Sequence, residues 1–159
     1  MALKKLPNSD RIVKKSNALL RCINWSCSIW EPRIVALLAS KIRVDDTDFQ
    51  TYEIPVRELM PEKNWGGKDY DELAATVDNI LSHVITIYYN DGWSKYNIFS
   101  KCKFKRKDGV LELRFDPDLK SHYLELTTNF AKYKLIEFLR LPSTYSQRMF
   151  EFLTSWKDK

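Results

Sequence analysis

Glycine is scarce in this chain, at four of 159 residues. Its one adjacent pair, Gly66-Gly67, is not followed by Lys-Ser or Lys-Thr, so no phosphate-cradling nucleotide loop is present. Histidine is scarcer still, and His83 and His122 lie far apart. That excludes strand-nicking chemistry of the rolling-circle kind, which needs a histidine pair in one short motif beside a tyrosine nucleophile. The three cysteines, Cys22, Cys27 and Cys102, are odd in number and unclustered, with no histidine near them in sequence. This argues against a zinc site or a disulfide framework and for a reducing, cytoplasmic setting. No apolar run reaches the length of a membrane span. Met1 to Asp10 has lysines but no signal-peptide core. Ser28 and Ser143 lack a His/Asp constellation to activate them. Asp45 and Asp46 fall in a polar loop, where solvation gives no reason for a tuned pKa. No catalytic residue, metal or cofactor is expected.

What the chain does have is enough apolar material to fold. Hydrophobic residues make up 44% and aromatics 13%, and 159 residues suit one domain or at most two small ones. The net charge is +5, and it is segregated. Met1 to Arg21 holds six basic residues and one acidic, Asp45 to Glu72 nine acidic and three basic, and Trp93 to Lys107 six basic and none acidic. Opposed patches point to a polyanion on one surface and a different partner on another.

Residues 1–15 read as a flexible basic arm, and residues 16–159 as a single domain. A short helix is expected from Asn17, with Leu19, Leu20 and Ile23 apolar. Ser28 and Glu31 have capping-box spacing before a helix whose buried stripe is Ile34, Val35, Leu37, Leu38 and Ile42. Phe49 to Val56 alternates as a strand that Pro55 confines to an edge, and Val56 to Met60 makes a helical turn. Asp69 to Val84 carries Leu73, Val77, Ile80, Leu81 and Val84 at helical spacing. The period then changes to two, with hairpin turns at Asp91-Gly92 and Asp108-Gly109. Two-residue turns would set Ile87 against Tyr96, Ile85 against Ile98, Phe104 against Leu113 and Lys105 against Glu112. Helices are expected at Asp118–Leu126 and Thr144–Trp156, the last capped by Ser143. Asn129–Leu139 fits helix or strand. A helix feeding a small antiparallel sheet is the centre of an α+β winged-helix domain.

The strand Lys95–Lys105 is the sharpest local signal. Tyr96, Ile98, Cys102 and Phe104 fall on one face, and Lys95, Asn97, Lys101, Lys103 and Lys105 on the other. Arg106 and Lys107 carry the charge to the wing tip. Such a ribbon can lie along a phosphate backbone, giving affinity without base readout; edge lysines also guard against strand-to-strand aggregation. The helix before the sheet would expose Asp69, Asp71, Glu72 and Asp78, which a DNA backbone repels. It is therefore a poor reader of a major groove.

The segment Leu139-Arg140-Leu141-Pro142-Ser143-Thr144-Tyr145-Ser146-Gln147-Arg148-Met149-Phe150-Glu151-Phe152-Leu153 resembles the L-x-L-x-S-x-Y-S-x-R-L-Y-E-L-L block of iteron-plasmid replication initiators, the Rep family. Lys14-Lys15-Ser16-Asn17-Ala18-Leu19 is similar to their V-x-x-S-N-x-L opening. Trp30-Glu31-Pro32-Arg33-Ile34 through Ser40-Lys41-Ile42 resembles their first long helix, and Asp91-Gly92-Trp93 and Val110–Phe115 their two hairpins. The resemblance implies the first of two tandem winged-helix domains, one that contacts phosphates and forms a homodimer. The second domain, which reads the iterons of the plasmid origin, would be absent from a chain ending at Lys159. Dimers would bind an operator and repress the initiator's own gene. Monomers would bind double-stranded iteron DNA, open the origin and engage host replication proteins. Ser143, Ser146 and Arg148, at the start of the last helix, would sit beside a phosphate, while the Tyr145 ring would pack in the core. Two other readings stay open: a self-association module with an incidental basic wing, and a free-standing winged-helix transcription regulator.

Overall fold

The computed structural model describes residues 11–22, 28–59 and 64–157. Among them seven strands and six α-helices alternate: β1 (Ile12–Ser16), α1 (Asn17–Leu20), α2 (Trp30–Ser40), β2 (Tyr52–Pro55), α3 (Gly67–Ile80), β3 (Val84–Tyr89), β4 (Gly92–Asn97), β5 (Phe99–Lys105), β6 (Val110–Phe115), α4 (Lys120–Tyr123), β7 (Phe130–Lys134), α5 (Leu135–Leu139) and α6 (Thr144–Thr154). Short 3-10 turns follow β2 at Val56–Leu59 and precede α4 at Pro117–Leu119. Helices and small antiparallel sheets share one apolar core, as a winged helix requires.

Residues 12–15 do not belong to an arm. They lie in β1, antiparallel to β7, with Val13 opposite Tyr133 and both buried. Lysines at 14 and 15 hide the strand signal, yet Lys15 is itself buried and bridges Glu151 at 2.6 Å. Residues 1–10 of the expected arm lie outside the described residues, as do Ile23 and the Met60-Pro61 end of the helical turn. Pairing with β1 also resolves the 129–139 ambiguity: Phe130–Lys134 is strand and Leu135–Leu139 helix. Helix α4 stops at Tyr123 rather than Leu126, because Leu124 is extended and Glu125 turns into the left-handed region (φ 52°).

Helix α2 buries Ile34, Val35, Leu37 and Leu38. The Ser28 hydroxyl accepts the Trp30 N–H at 3.1 Å near its start. Its one buried cation, Arg33, donates to the carbonyls of Leu59 and Leu141, both at 2.8 Å. It thereby ties α2 to the first 3-10 turn and to the turn before α6. Helix α3 ends at Ile80, four residues short of the expected Val84. The β-branched run after it enters β3, and Asn97 caps the exposed end by donating to the Leu81 carbonyl at 2.7 Å. Leu81 is left exposed.

Both hairpins form, each two residues out of the expected register. In the first, Ile85 faces Tyr96, Ile87 faces Ser94 and Tyr89 faces Gly92, so the loop is Asn90-Asp91. None of residues 90–92 has positive φ, so the type I′ geometry behind the expectation is not used. In the second, Lys105 pairs with Val110, Phe104 with Leu111 and Lys103 with Glu112. Its loop has four residues, Arg106 to Gly109, and only Gly109 (φ 62°) is left-handed. A two-residue slip keeps every side chain on its expected face within its strand, which is why the apolar pattern alone could not detect it.

Lys95–Lys105 is not one strand. It breaks at Ile98 into β4, paired with β3, and β5, which joins the three-stranded sheet β2-β6-β5. An irregularity between Phe99 and Lys101 resets the alternation, and Phe99 is buried on a position expected to face out. Pro55 does lie on an edge strand, opposite Val110. Behind the sheet, Phe115 stacks between Phe99 (5.6 Å) and Tyr123 (4.3 Å). Among the described residues no helix is long and apolar enough to cross a membrane.

Candidate nucleic-acid interface

The outer face of the three-stranded sheet is built by strand alternation. Inward go Ile54, Leu111 and Leu113, all fully buried. Outward, Glu53 of β2 lies directly opposite Glu112 of β6, and Glu112 lies opposite Lys103 of β5. Two like charges facing across a ladder destabilise it. Here β5 supplies the compensation. Lys105 Nζ bonds Glu53 Oε1 at 2.9 Å, and Lys101 Nζ bonds Glu112 Oε1 at 3.1 Å. These contacts raise the Lys105 amine above its ordinary value and hold the Glu112 carboxyl below its own. At the loop, Arg106 Nη2 reaches Asp71 Oδ1 of α3 at 2.7 Å.

The structure thus brings Lys101, Lys103, Lys105, Arg106 and Lys107 together on one hairpin, the wing. Three of the five are in ion pairs; Lys103 and Lys107 are exposed and have none among the described residues. Arg114, which the sequence reading passed over, is exposed beside them and donates from Nε to Ser100 Oγ at 3.0 Å. Only its alternation with Leu113 and Phe115 pointed to it. Lys95 belongs to the other hairpin. It stands on Thr86 Oγ1 at 3.5 Å and 5.2 Å from the centre of the Trp93 ring.

Ser143, Ser146 and Arg148 lie at the start of α6; the two serines close an exposed capping box, and the arginine reaches another element. The Ser143 hydroxyl accepts the Ser146 N–H at 3.1 Å, and Ser146 Oγ accepts the Ser143 N–H at 3.1 Å. Arg148 Nη1 donates to the Leu20 carbonyl at 2.8 Å. Tyr145 does not pack in the core; it is 66% exposed. The inward face of α6 is set by Gln147, about 200° around the helix from Tyr145, and that turns the ring to solvent.

The acidic face of α3 is less exposed than its sequence implies. Asp69 is buried and accepts the Gly66 N–H at 2.9 Å, closing the helix's first turn. Asp71, Glu72 and Asp78 remain outside. His83 pairs with Glu31, and that hydrogen bond raises its pKa. Both line a cavity of about 100 Å³ together with the Lys15–Glu151 pair, whose carboxylate also accepts the Tyr133 hydroxyl at 2.7 Å. Burial pushes the Cys102 thiol up to about 11, so it is inert at neutral pH. Among the described residues no cluster of His, Cys, Asp and Glu could hold a metal.

Comparison with known proteins agrees with this architecture. No curated protein matches the sequence. Among solved structures, the chain is similar to the Pi initiator protein crystallised in complex with iteron DNA. The TM-score is 0.70 at 15% identity, over 96% of this chain and 67% of that one. It also overlaps the WH1 domain of MSBI1.176, a replication protein isolated from a multiple sclerosis patient, with a TM-score of 0.41 at 13% identity, over 57% and 73% of the two chains. The family model "Initiator Replication protein, WH1" matches residues 12–154, from the first residue of β1 to the last of α6, and the chain belongs to that family.

Proposed function

We propose that this domain serves plasmid replication initiation by gripping the backbone of duplex DNA with its wing, without reading bases. The observation that carries the reading is the cluster of Lys101, Lys103, Lys105, Arg106 and Lys107 on one exposed hairpin of a WH1-family chain. The Pi initiator, similar in fold, was crystallised with iteron DNA, which favours the same partner class here. Lysine offers phosphate a point charge and carries no base specificity. If four wing cations meet phosphates, log K falls against log salt with a slope of about −3.6. Anisotropy titrations of two unrelated duplexes across salt test this. Equal affinities with that slope support the reading; a flat salt dependence, or no binding at low salt, removes it. A strong preference for one sequence would make the chain a free-standing regulator instead.

Homodimerisation, with repression of the initiator's own gene by the dimer, belongs to the same proposal. Helix α6 favours association, since it exposes Tyr145, Met149, Phe152 and Leu153, and Trp156 just beyond it is exposed too. Sedimentation velocity that finds only monomer at high concentration would reject it. Host replication proteins are a further partner class that such exposed faces could take.

A further inference from the structure

The β3–β4 hairpin carries a feature that the wing does not explain. Tyr88 and Trp93 are directly opposite residues, so their rings leave the same face. They are 65% and 59% exposed, whereas Ile85 and Ile87, on the opposite face of β3, are buried at 5% and 3%. The hairpin is anchored from below and displays two aromatic rings above. Lys95 follows Trp93 on the same face, its amine 5.2 Å from the ring centre. Asn97, next on that face, is exposed.

A pair of outward rings beside an ammonium fits a ligand that has both π-faces and negative charge. In duplex DNA each base face is covered by its neighbour, so the rings would find only base edges and sugars. Unpaired nucleotides offer open faces, joined by phosphates at a spacing that Lys95 could meet, and base–aromatic stacking tolerates any base. Lys95 is the one cation this hairpin supplies, since the other five basic residues between Trp93 and Lys107 lie on the wing.

We propose that Tyr88 and Trp93 form a stacking platform for the unpaired bases of single-stranded DNA, with Lys95 as its phosphate contact. This surface is separate from the wing and does not depend on the duplex reading.

The test uses the full 159-residue chain and fluorescence anisotropy with labelled dT20, an abasic oligomer of equal length and a duplex. The proteins are wild type, Trp93→Ala, Tyr88→Ala, the double alanine variant, and Trp93→Phe with Tyr88→Phe. Both rings are exposed, and matching thermal melts would show that the fold survives. Each alanine should weaken dT20 binding about five- to 150-fold. The phenylalanine variant should bind nearly as wild type, the abasic oligomer weakly, and the duplex equally to all variants. Wild type that ignores dT20 at low salt overturns the proposal, as does a double alanine variant within two-fold of wild type. Equal binding of abasic oligomer and dT20 also overturns it, because no base would then be stacked. Duplex affinity that falls in step with dT20 affinity would make the rings a general DNA contact. Alanine variants that alter sedimentation but not dT20 binding would make them a self-association face.

Discussion

If the wing grips phosphate, its own carboxylates are its competitors, and removing them should strengthen DNA binding. The perturbation is the triple substitution Glu53→Gln, Asp71→Asn, Glu112→Gln, which keeps shape and removes three negative charges. Glu53 and Asp71 are 60% and 71% exposed at their side chains, so Lys105 and Arg106 can leave them for a phosphate. Glu112 is only 20% exposed and holds Lys101 within the ladder. Wild type therefore offers Lys103, Lys105, Arg106 and Lys107, for a salt slope of about −3.6, and the variant adds Lys101, for about −4.5. Each carboxylate removed also ends a repulsion of a phosphate lying roughly 6 Å away; about half of that survives screening at 0.1 M salt, worth about two-fold in affinity per residue. The variant should bind a duplex roughly five- to ten-fold more tightly at that salt. Anisotropy titrations between 50 and 300 mM salt, a range chosen around the roughly 10 Å screening length, read both quantities. Unchanged affinity with an unchanged slope would refute the reasoning, because DNA would then be bound away from this face.

Three further perturbations address the groups around the site. Arg33→Met should lower stability by about 2–5 kcal/mol, since a buried and a half-buried carbonyl lose charged donors while the apolar stem is kept; chemical denaturation measures it, and a loss under about 1 kcal/mol would mean that the carbonyls find other partners. His83→Gln tests the Glu31 pair through pH: the folded pKa is raised, so the histidine's stabilisation is complete below the ordinary value near 6.5 and disappears as pH rises through the folded value. The melting-temperature gap between wild type and His83→Gln should therefore narrow from pH 5.5 to pH 8.5, and a constant gap would contradict the pairing. Arg148→Ala should cost about 1–3 kcal/mol, because the Leu20 carbonyl loses a charged donor, yet leave the DNA salt slope unchanged; a slope flatter by about 0.9 would place Arg148 on a phosphate instead.

The elements legible in the sequence were those carried by local periodicity. Helix α2 followed from Ile34, Val35, Leu37 and Leu38, and Ser143 marked the start of α6. The lysines of β5 could be read as outward because Cys102 and Phe104 alternate with them. What stayed hidden depended on partners distant in the chain. Strand β1 is a strand because β7 lies beside it, more than 110 residues later, and no local pattern reports that. The ion pairs of the wing were invisible for the same reason: Glu53 reaches Lys105 across 52 positions. Hairpin register failed differently. Asp-Gly located both turns to within a residue but not their length: the first loop, Asn90-Asp91, uses no positive φ, and in the four-residue second loop only Gly109 does. The aromatic ring of Tyr145 suggests core, but its angle around α6, set by buried Gln147, puts it in solvent.

The wing's charge also performs a structural task that need not involve DNA. Without Lys101 and Lys105, Glu53 and Glu112 would face each other across β2 and β6 with only Lys103, opposite Glu112, to offset them. Both lysines therefore serve the sheet in free protein, and Lys105, whose partner Glu53 is exposed, is also available to phosphate in a complex. Helix α3 is held by its own chemistry in the same way. Its first turn is closed internally by Asp69, and Asp71 draws Arg106 from the wing tip toward the helix. A phosphate arriving at Arg106 would compete with that link, so DNA binding and wing–helix contact oppose each other. Asp71→Asn alone then separates the two roles: it should tighten duplex binding about two-fold while raising hydrogen exchange in the Arg106–Gly109 loop. Tighter binding without a freer loop would show that Arg106 contacts DNA with its tether intact. A freer loop without tighter binding would show that the wing tip does not touch DNA.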